Sequence, residues 1–228
     1  MKKQLLNLCV IFAMAILLPA CKKKVVEIDQ NTIYTVYELY YNANTDKTVA
    51  IALFRENGMG GNMVDLKSPA SVTFNGDIME WSPDYSGYAK EYSGKLTAGT
   101  FVYKNTDNIV YTNTTPLMDS LVDPHSFATI YRVNPYNYAW TGNPIAQHER
   151  INLHIGSWWW NSDGYVSAVS VGATSITLST NQLNAIYPGV LKTYLERLNT
   201  VSLTQGTAAG GEIRTRYMAP NVMVNFAP

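Results

Sequence analysis

Cysteine is nearly absent. The 228-residue chain holds two, Cys9 and Cys21, both near its start. The body of the chain therefore has no disulfide and no thiolate metal site, and its stability must come from an ordinary core. Charge is scarce as well. Charged residues make up 15% of the chain, and 17 basic side chains balance 17 acidic ones. A nucleic-acid binder needs a basic patch or stripe, and none is written here. Histidine occurs three times. His148 and His154 do not have the His-Glu-x-x-His spacing that puts two ligands on one helical face. On a strand they share a face yet stand about 20 Å apart, at about 3.3 Å per residue. They do not hold one ion, and His125 stands alone. No metal and no cofactor is expected.

Catalytic motifs are missing too. There is no Gly-x-Ser-x-Gly elbow to present a nucleophile. The glycines of Gly58 to Gly61 are not followed by the Lys-Ser/Thr of a phosphate loop. No acidic run has the spacing of a calcium loop. Asp119 and Asp123 sit in a stretch that reads as a solvated loop. The chain reads as a non-enzyme.

What is present begins with Lys2 and Lys3. Leu5 to Leu18 is apolar except for Asn7, and Ala20 precedes Cys21. These are the parts of a secretory signal. The apolar run falls short of the about 20 residues that cross a bilayer. Leu18-Pro19-Ala20-Cys21 resembles the lipobox of bacterial lipoproteins, although Pro19 departs from the commonest residue there. The resemblance implies that residues 1–20 are a signal peptide and that Cys21 carries lipid, with palmitate-type acylation of the new amine. Residues 21–31 would form a lipidated stem. Several acyl chains would make the anchoring stable, where one binds only marginally. The expected place is the bacterial cell envelope, as an outer membrane lipoprotein on either its periplasmic or its surface face. Lys22-Lys23-Lys24 reads as a solvated spacer, or as a stem drawn to anionic headgroups by about 1 kcal/mol per charge. Loss of Lys2 and Lys3 leaves the mature chain slightly acidic.

The body has the composition of a sheet protein, with sixteen Tyr and abundant Thr, Val, Ser, Asn and Gly. Tyr34 to Tyr40 alternates. Thr48 to Phe54 is a continuous apolar run, as in a buried strand. Asn75-Gly76 between β-formers predicts a hairpin. Further strands follow over Tyr88–Leu96, Thr100–Lys104 and Ile109–Thr112. Turn signals recur at Ig-like spacing. Pro116 and Pro124 bracket a polar stretch that reads as a linker. A strand resumes over Phe127–Val133, Asn134–Asn137 is a turn, and Tyr138-Ala139-Trp140 leads into Thr141-Gly142-Asn143-Pro144. Ile151, Leu153 and Ile155 then alternate with Arg150, Asn152 and His154, predicting one wet face. Tyr165–Val171 and Ser175–Leu178 are further strands. Asn181–Tyr187 reads as a helical turn capped by Ser179 or Thr180. Val190–Leu198 fits a helix or a strand, and strand is chosen. Ile213–Met218 and Val222–Phe226 close the sheet. The fold expected is all-β: two tandem Ig-like β-sandwich domains over 32–115 and 125–228, joined by the linker 116–124.

The turn Trp140-Thr141-Gly142-Asn143-Pro144, with Gly172-Ala173-Thr174-Ser175-Ile176 and Gly210-Gly211-Glu212-Ile213, resembles two-domain Bacteroidetes-type lipoproteins with Ig-like modules. The likeness implies fold and anchoring, and carries over no catalytic residue. Trp158-Trp159-Trp160 is the one local oddity. Three consecutive Trp cannot share one face of a strand. They read either as core and junction packing, or as an exposed aromatic face joined by Tyr136, Tyr138 and Trp140 that stacks on sugar rings or protein hot spots. The expected partners are the membrane, through Cys21, and a glycan or an envelope protein. The alternative role is a structural subunit of an envelope or fimbria-like assembly.

Overall fold

The computed structural model describes residues 28–156 and 164–228. The signal 1–20, Cys21 with most of its stem, and Trp158, Trp159 and Trp160 lie outside the described residues.

The described chain is all-β. The first strands are β1 (Ile33–Asn42), β2 (Lys47–Glu56), β3 (Ser71–Phe74), β4 (Asp77–Ile78), β5 (Glu80–Ser82), β6 (Gly87–Ser93), β7 (Thr100–Lys104) and β8 (Val110–Thr114). Then come β9 (Leu121–Val122), β10 (Thr129–Tyr131), β11 (Tyr136–Ala139), β12 (Thr141–Gly142), β13 (Glu149–Ile155) and β14 (Gly164–Ala168). The chain ends with β15 (Ser175–Leu178), β16 (Gly189–Ser202), β17 (Gly211–Met218) and β18 (Val222–Ala227). The Asn75-Gly76 turn joins β3 and β4, with φ of 50° and 90° at its two residues, the left-handed geometry that a two-residue hairpin requires. One short helix, α1 (Thr180–Asn184), starts at Ser179 in a capping box with Gln182. Among the described residues no helix is long and apolar enough to cross a membrane.

One large sheet has the order β10-β18-β16-β17-β1-β2-β6-β5, with β13 along the other edge of β16 and β14 beyond it. β16 is its spine. Residues 193–198 of β16 are all buried: one face lies under the small sheets, and on the other the side chains of neighbouring strands crowd together at the sheet centre. That coverage erases the alternation and explains why the segment also looked helical. β17 and β18 together form one long partner to β16. Glu196 pairs with Met218 and Thr193 with Val222, so two residues of β16 face three of its partner. The extra residue is a bulge at Ala219-Pro220-Asn221, where Pro lacks the N–H a ladder would use. Buried positions accordingly switch from odd (Ile213, Thr215, Tyr217) to even (Val224, Phe226).

Two small sheets cover one face of the large one. The sheet β4-β3-β7-β8 covers the first half and β11-β15 the second. Tyr37 of β1 stacks on Phe101 of β7 at 4.5 Å between centroids, and Phe54 of β2 meets Tyr103 at 4.6 Å. Tyr138 of β11 reaches Thr193 of β16 at 3.1 Å. Each half thus has its own sandwich cover, while the large sheet and the apolar core run through both. The joint is β1 against β17, a parallel pair from Thr35–Gly211 to Asn42–Met218. A Cβ on Gly211 would lie 2.1 Å from the Thr35 carbonyl oxygen, so the close approach that starts this pairing needs glycine.

Segment 116–124 is not a solvated linker. Met118, Leu121 and Asp123 are buried, and β9 pairs with β12. The proline bracket misleads because polar side chains in this stretch face inward to partners. Asp119 Oδ2 accepts from Arg197 Nη1 at 2.8 Å. The Arg197 side chain is 2% exposed and points into the core side of β16. Its Nε also donates to Glu149 at 3.2 Å, and its Nη2 to the carbonyls of Asn143 and Pro144 at 2.9 and 2.8 Å. Two loops and the start of β13 are thereby fixed to one guanidinium. Breaking such a buried network costs more than the network contributes, because the carboxylates remain behind unpaired. Arg197→Ala is expected to lower stability by about 3–5 kcal/mol, read as a fall in the urea midpoint at unchanged slope.

Candidate functional site

The face of the large sheet turned away from its covers carries the site. On β1, β13, β16 and β17 the odd residues enter the core and the even ones point to this second face. Parallel pairing sets Glu38 opposite Arg214 and Tyr40 opposite Arg216. Antiparallel pairing sets Asn152 opposite Glu196 and His154 opposite Tyr194. The result is a cleft of about 470 Å³ lined by Glu38, Arg150, Asn152, His154, Tyr165, Glu196, Leu198, Arg214 and Arg216.

The charges form a connected chain. Arg214 donates to Glu38 Oε2 through Nη2 at 2.6 Å and through Nε at 2.9 Å. Arg216 Nε lies 2.5 Å from Glu38 Oε1, a charge contact whose angles fall outside hydrogen-bond geometry. Arg216 Nη1 reaches Glu196 Oε1 at 3.4 Å, and its guanidinium covers the Tyr40 ring at 4.1 Å. Glu196 Oε2 accepts from Asn152 Nδ2 at 3.3 Å and contacts His154 Nε2 at 3.2 Å. Ser167 donates to Asn152 Oδ1 at 2.8 Å. The His154 ring stacks on Tyr194 at 4.4 Å and meets the edge of Tyr165 at 4.9 Å. Tyr165 itself is 54% exposed at the rim.

Burial pulls the Glu196 carboxyl upward. The His154 and Asn152 hydrogen bonds and the Arg216 charge outweigh it and hold Glu196 below the usual range. Burial likewise opposes the Arg216 charge, and Glu38 and Glu196 outweigh it, raising Arg216. Burial, then the Glu196 charge, pushes the Tyr194 phenol up to about 12. Near neutrality the Glu196–Arg216 pair is charged and the Tyr194 phenol is neutral. The cleft presents fixed donors and acceptors.

The expected aromatic face is not assembled as expected. Tyr138 is fully buried and Trp140 is 6% exposed, so neither offers a ring to a flat partner. Tyr138 donates to Asp123 Oδ2 at 2.7 Å and stacks on His125 at 3.9 Å. Trp140 Nε1 donates to the Asn143 carbonyl at 3.2 Å. Both are large amphipathic rings whose polar ends find partners inside the fold. Tyr136 is half-buried against the same His125 and Tyr138. His125 is not an isolated linker residue: its Nδ1 contacts Asp123 Oδ1 at 2.9 Å. The face expected to be wet on β13 is instead the cleft wall, with Asn152 2% exposed. His148 lies in the turn before β13, away from the His154 contacts. Glu38, Arg150, Glu196, Arg214 and Arg216 were not singled out from the sequence. Their signal is charge at period two, Glu212-x-Arg214-x-Arg216 and Arg150-x-Asn152-x-His154, on strands whose other face is apolar.

The lowered Glu196 carboxyl has a consequence for acid stability. A depressed folded-state value stabilises above the unfolded value, near 4.5, and that stability is lost as pH falls through the folded value. Urea midpoints are expected to fall below about pH 4.5. Glu196→Gln should lower the neutral midpoint and flatten this acid slope; an unchanged slope would show that other carboxylates set it.

No family model matches the chain, and no curated protein matches it. Among solved structures it is similar to part of a 1.5-MDa bacterial ice-binding adhesin at 10% identity, covering 87% of this chain and 67% of that one with a TM-score of 0.23. It is also similar to the two tandem V-type regions of a v-region-containing chitin-binding protein at 8% identity, covering 82% and 99% with a TM-score of 0.22. Scores this low carry no argument, and the β architecture rests on the strand pairing itself.

Proposed function

We propose that this chain is an envelope-anchored lipoprotein that captures a glycan without transforming it. The anchoring part rests on Lys2-Lys3, the apolar run and Leu18-Pro19-Ala20-Cys21. The binding part rests on one observation: a cleft of fixed charges with an exposed tyrosine at its rim. A sugar ring offers paired hydroxyls and an apolar C–H face. Carboxylates, guanidiniums and an amide held in place meet the hydroxyls without reorganising, and an aromatic ring covers the C–H face. A glycosidase needs one carboxyl with a raised pKa to protonate the leaving group. Glu196 does not fit that role, since it is shifted the other way.

A second reading is assembly through a sheet edge. β14 pairs with β13 alone among the described strands, and Val169 and Val171 just beyond it are 65% and 71% exposed. An open edge beside apolar side chains is a surface for strand addition.

A glycan array probed with the full chain in detergent separates the two. Tyr165→Ala should weaken glycan binding about tenfold at an unchanged melting temperature. Binding kept by Tyr165→Ala but lost in the double variant Trp159→Ala, Trp160→Ala would move the site to the Trp segment. No binding to any glycan would favour edge assembly. The anchor has its own test. Cys21→Ala should release the protein into the soluble fraction, and continued membrane attachment would overturn lipidation.

A further inference from the structure

We infer that the cleft takes an acidic glycan, a uronate-type sugar whose carboxylate pairs with Arg150. The inference rests on the glycan reading above and adds the charge of the ligand. Two of the three arginines lining the cleft are already engaged. Arg214 is paired with Glu38 and Glu212, and Arg216 with Glu38 and Glu196. Arg150 is different: it is exposed, and its side chain has no ion pair or hydrogen-bond partner among the described residues. The cleft therefore offers one cation without a side-chain partner beside a network whose arginines are already paired.

The strand register says where that cation stands. Arg150 lies opposite Leu198, and Leu198 lies opposite Arg216. Neighbouring strands are about 4.8 Å apart, so the two arginine Cα atoms are separated by about 10 Å with Leu198 between them. Leu198 is the one apolar residue of the cleft lining. Leu198 is 6% exposed, so a pyranose ring set over it meets a narrow apolar strip at the cleft floor. Its exocyclic carboxylate, near the ring plane, points to Arg150 on one side. Its hydroxyls on the other side meet Arg216, Glu196 and Asn152. A neutral sugar fits the floor and leaves Arg150 unused. An acidic peptide satisfies Arg150 and has no flat apolar face for Leu198. A charged, flat ligand uses both features.

The test is calorimetric titration of the full chain in detergent with three probes: a galacturonate oligomer, the same oligomer with its carboxyls methyl-esterified, and an oligoglutamate of equal charge. Wild type is expected to bind the galacturonate oligomer about tenfold more tightly than its ester, with affinity that weakens as salt rises. Arg150→Gln should remove both the preference and the salt dependence and keep the weaker binding of the ester. Near-ultraviolet circular dichroism checks that this exposed substitution leaves the fold intact. Equal affinity of wild type for acid and ester, or an Arg150→Gln variant indistinguishable from wild type, overturns the inference and leaves the glycan reading standing. Oligoglutamate bound as tightly as the oligomer overturns it in favour of a general anion patch. Failure of both oligomers also overturns it, and the neutral glycans of the array then decide whether glycan capture falls with it.

Discussion

The parallel pairing of β1 with β17 is the constraint on which the rest depends. It joins residues near 35 to residues near 211, and closing so long a loop is unfavourable before any contact rewards it. Both faces of the pair supply the reward. Inward, Tyr37 and Leu39 lie beside Ile213, Thr215 and Tyr217 in the common core. Outward, Glu38 is clasped by Arg214 and Arg216. A slip of one residue would exchange the two sets, sending guanidiniums into the core and tyrosine and isoleucine to the surface. The apolar pattern and the charge pattern therefore specify the same register independently. Gly211 removes the one steric obstacle to it.

β16 shows how the same strand handles charge on both faces. Glu196 points to the cleft and Arg197 to the core side. Neither group tolerates desolvation alone. Arg197 is surrounded completely, by two carboxylates and two backbone carbonyls. Nothing remains for a ligand to do there, and its role is to hold loops. Glu196 is held by Arg216, His154 and Asn152 on an open face. The difference between a structural and a functional charge in this molecule is access, since the pairing chemistry is alike. The long arginine stems over the second face also shield the strand surface beneath them.

Much of the fold is legible in the sequence because it is local. The Asn75-Gly76 hairpin, the Ser179 cap and the strand alternation each need only neighbouring residues. β16 is legible as a strand although its burial on both faces blurs the period. Segment 116–124 is misread because its prolines and acids are the usual marks of a linker, and the partner that holds Asp119 lies at Arg197. Tyr138 and Trp140 are misread for a related reason. Aromatic residues near turns suggest a surface, yet Asp123 and the Asn143 carbonyl take their polar ends inside. For Asp119 and Tyr138 the missing information is a partner that the fold brings in from elsewhere, whereas Trp140 turns back on a carbonyl only three residues on.

The cleft is the extreme of that rule. Its residues come from β1, β13, β14, β16 and β17, and no two of these strands place them within one turn of sequence except by alternation. What the sequence does hold is an imbalance. On strands whose odd positions are apolar or small apart from Glu149, the even positions carry Glu212, Arg214, Arg216, Arg150 and His154. A strand that merely faced water would do as well with Thr, Ser or Lys, which lose less when left unpaired. Repeated Arg and Glu on the central strands of a sheet call for mutual pairing, since the sheet centre is where solvent is scarcest. Pairing of that kind consumes charges two at a time. The cation whose side chain is left without a partner among the described residues, Arg150 at the rim, is then the residue to explain, and a ligand that brings a carboxylate to it explains it in the same terms as the pairs inside.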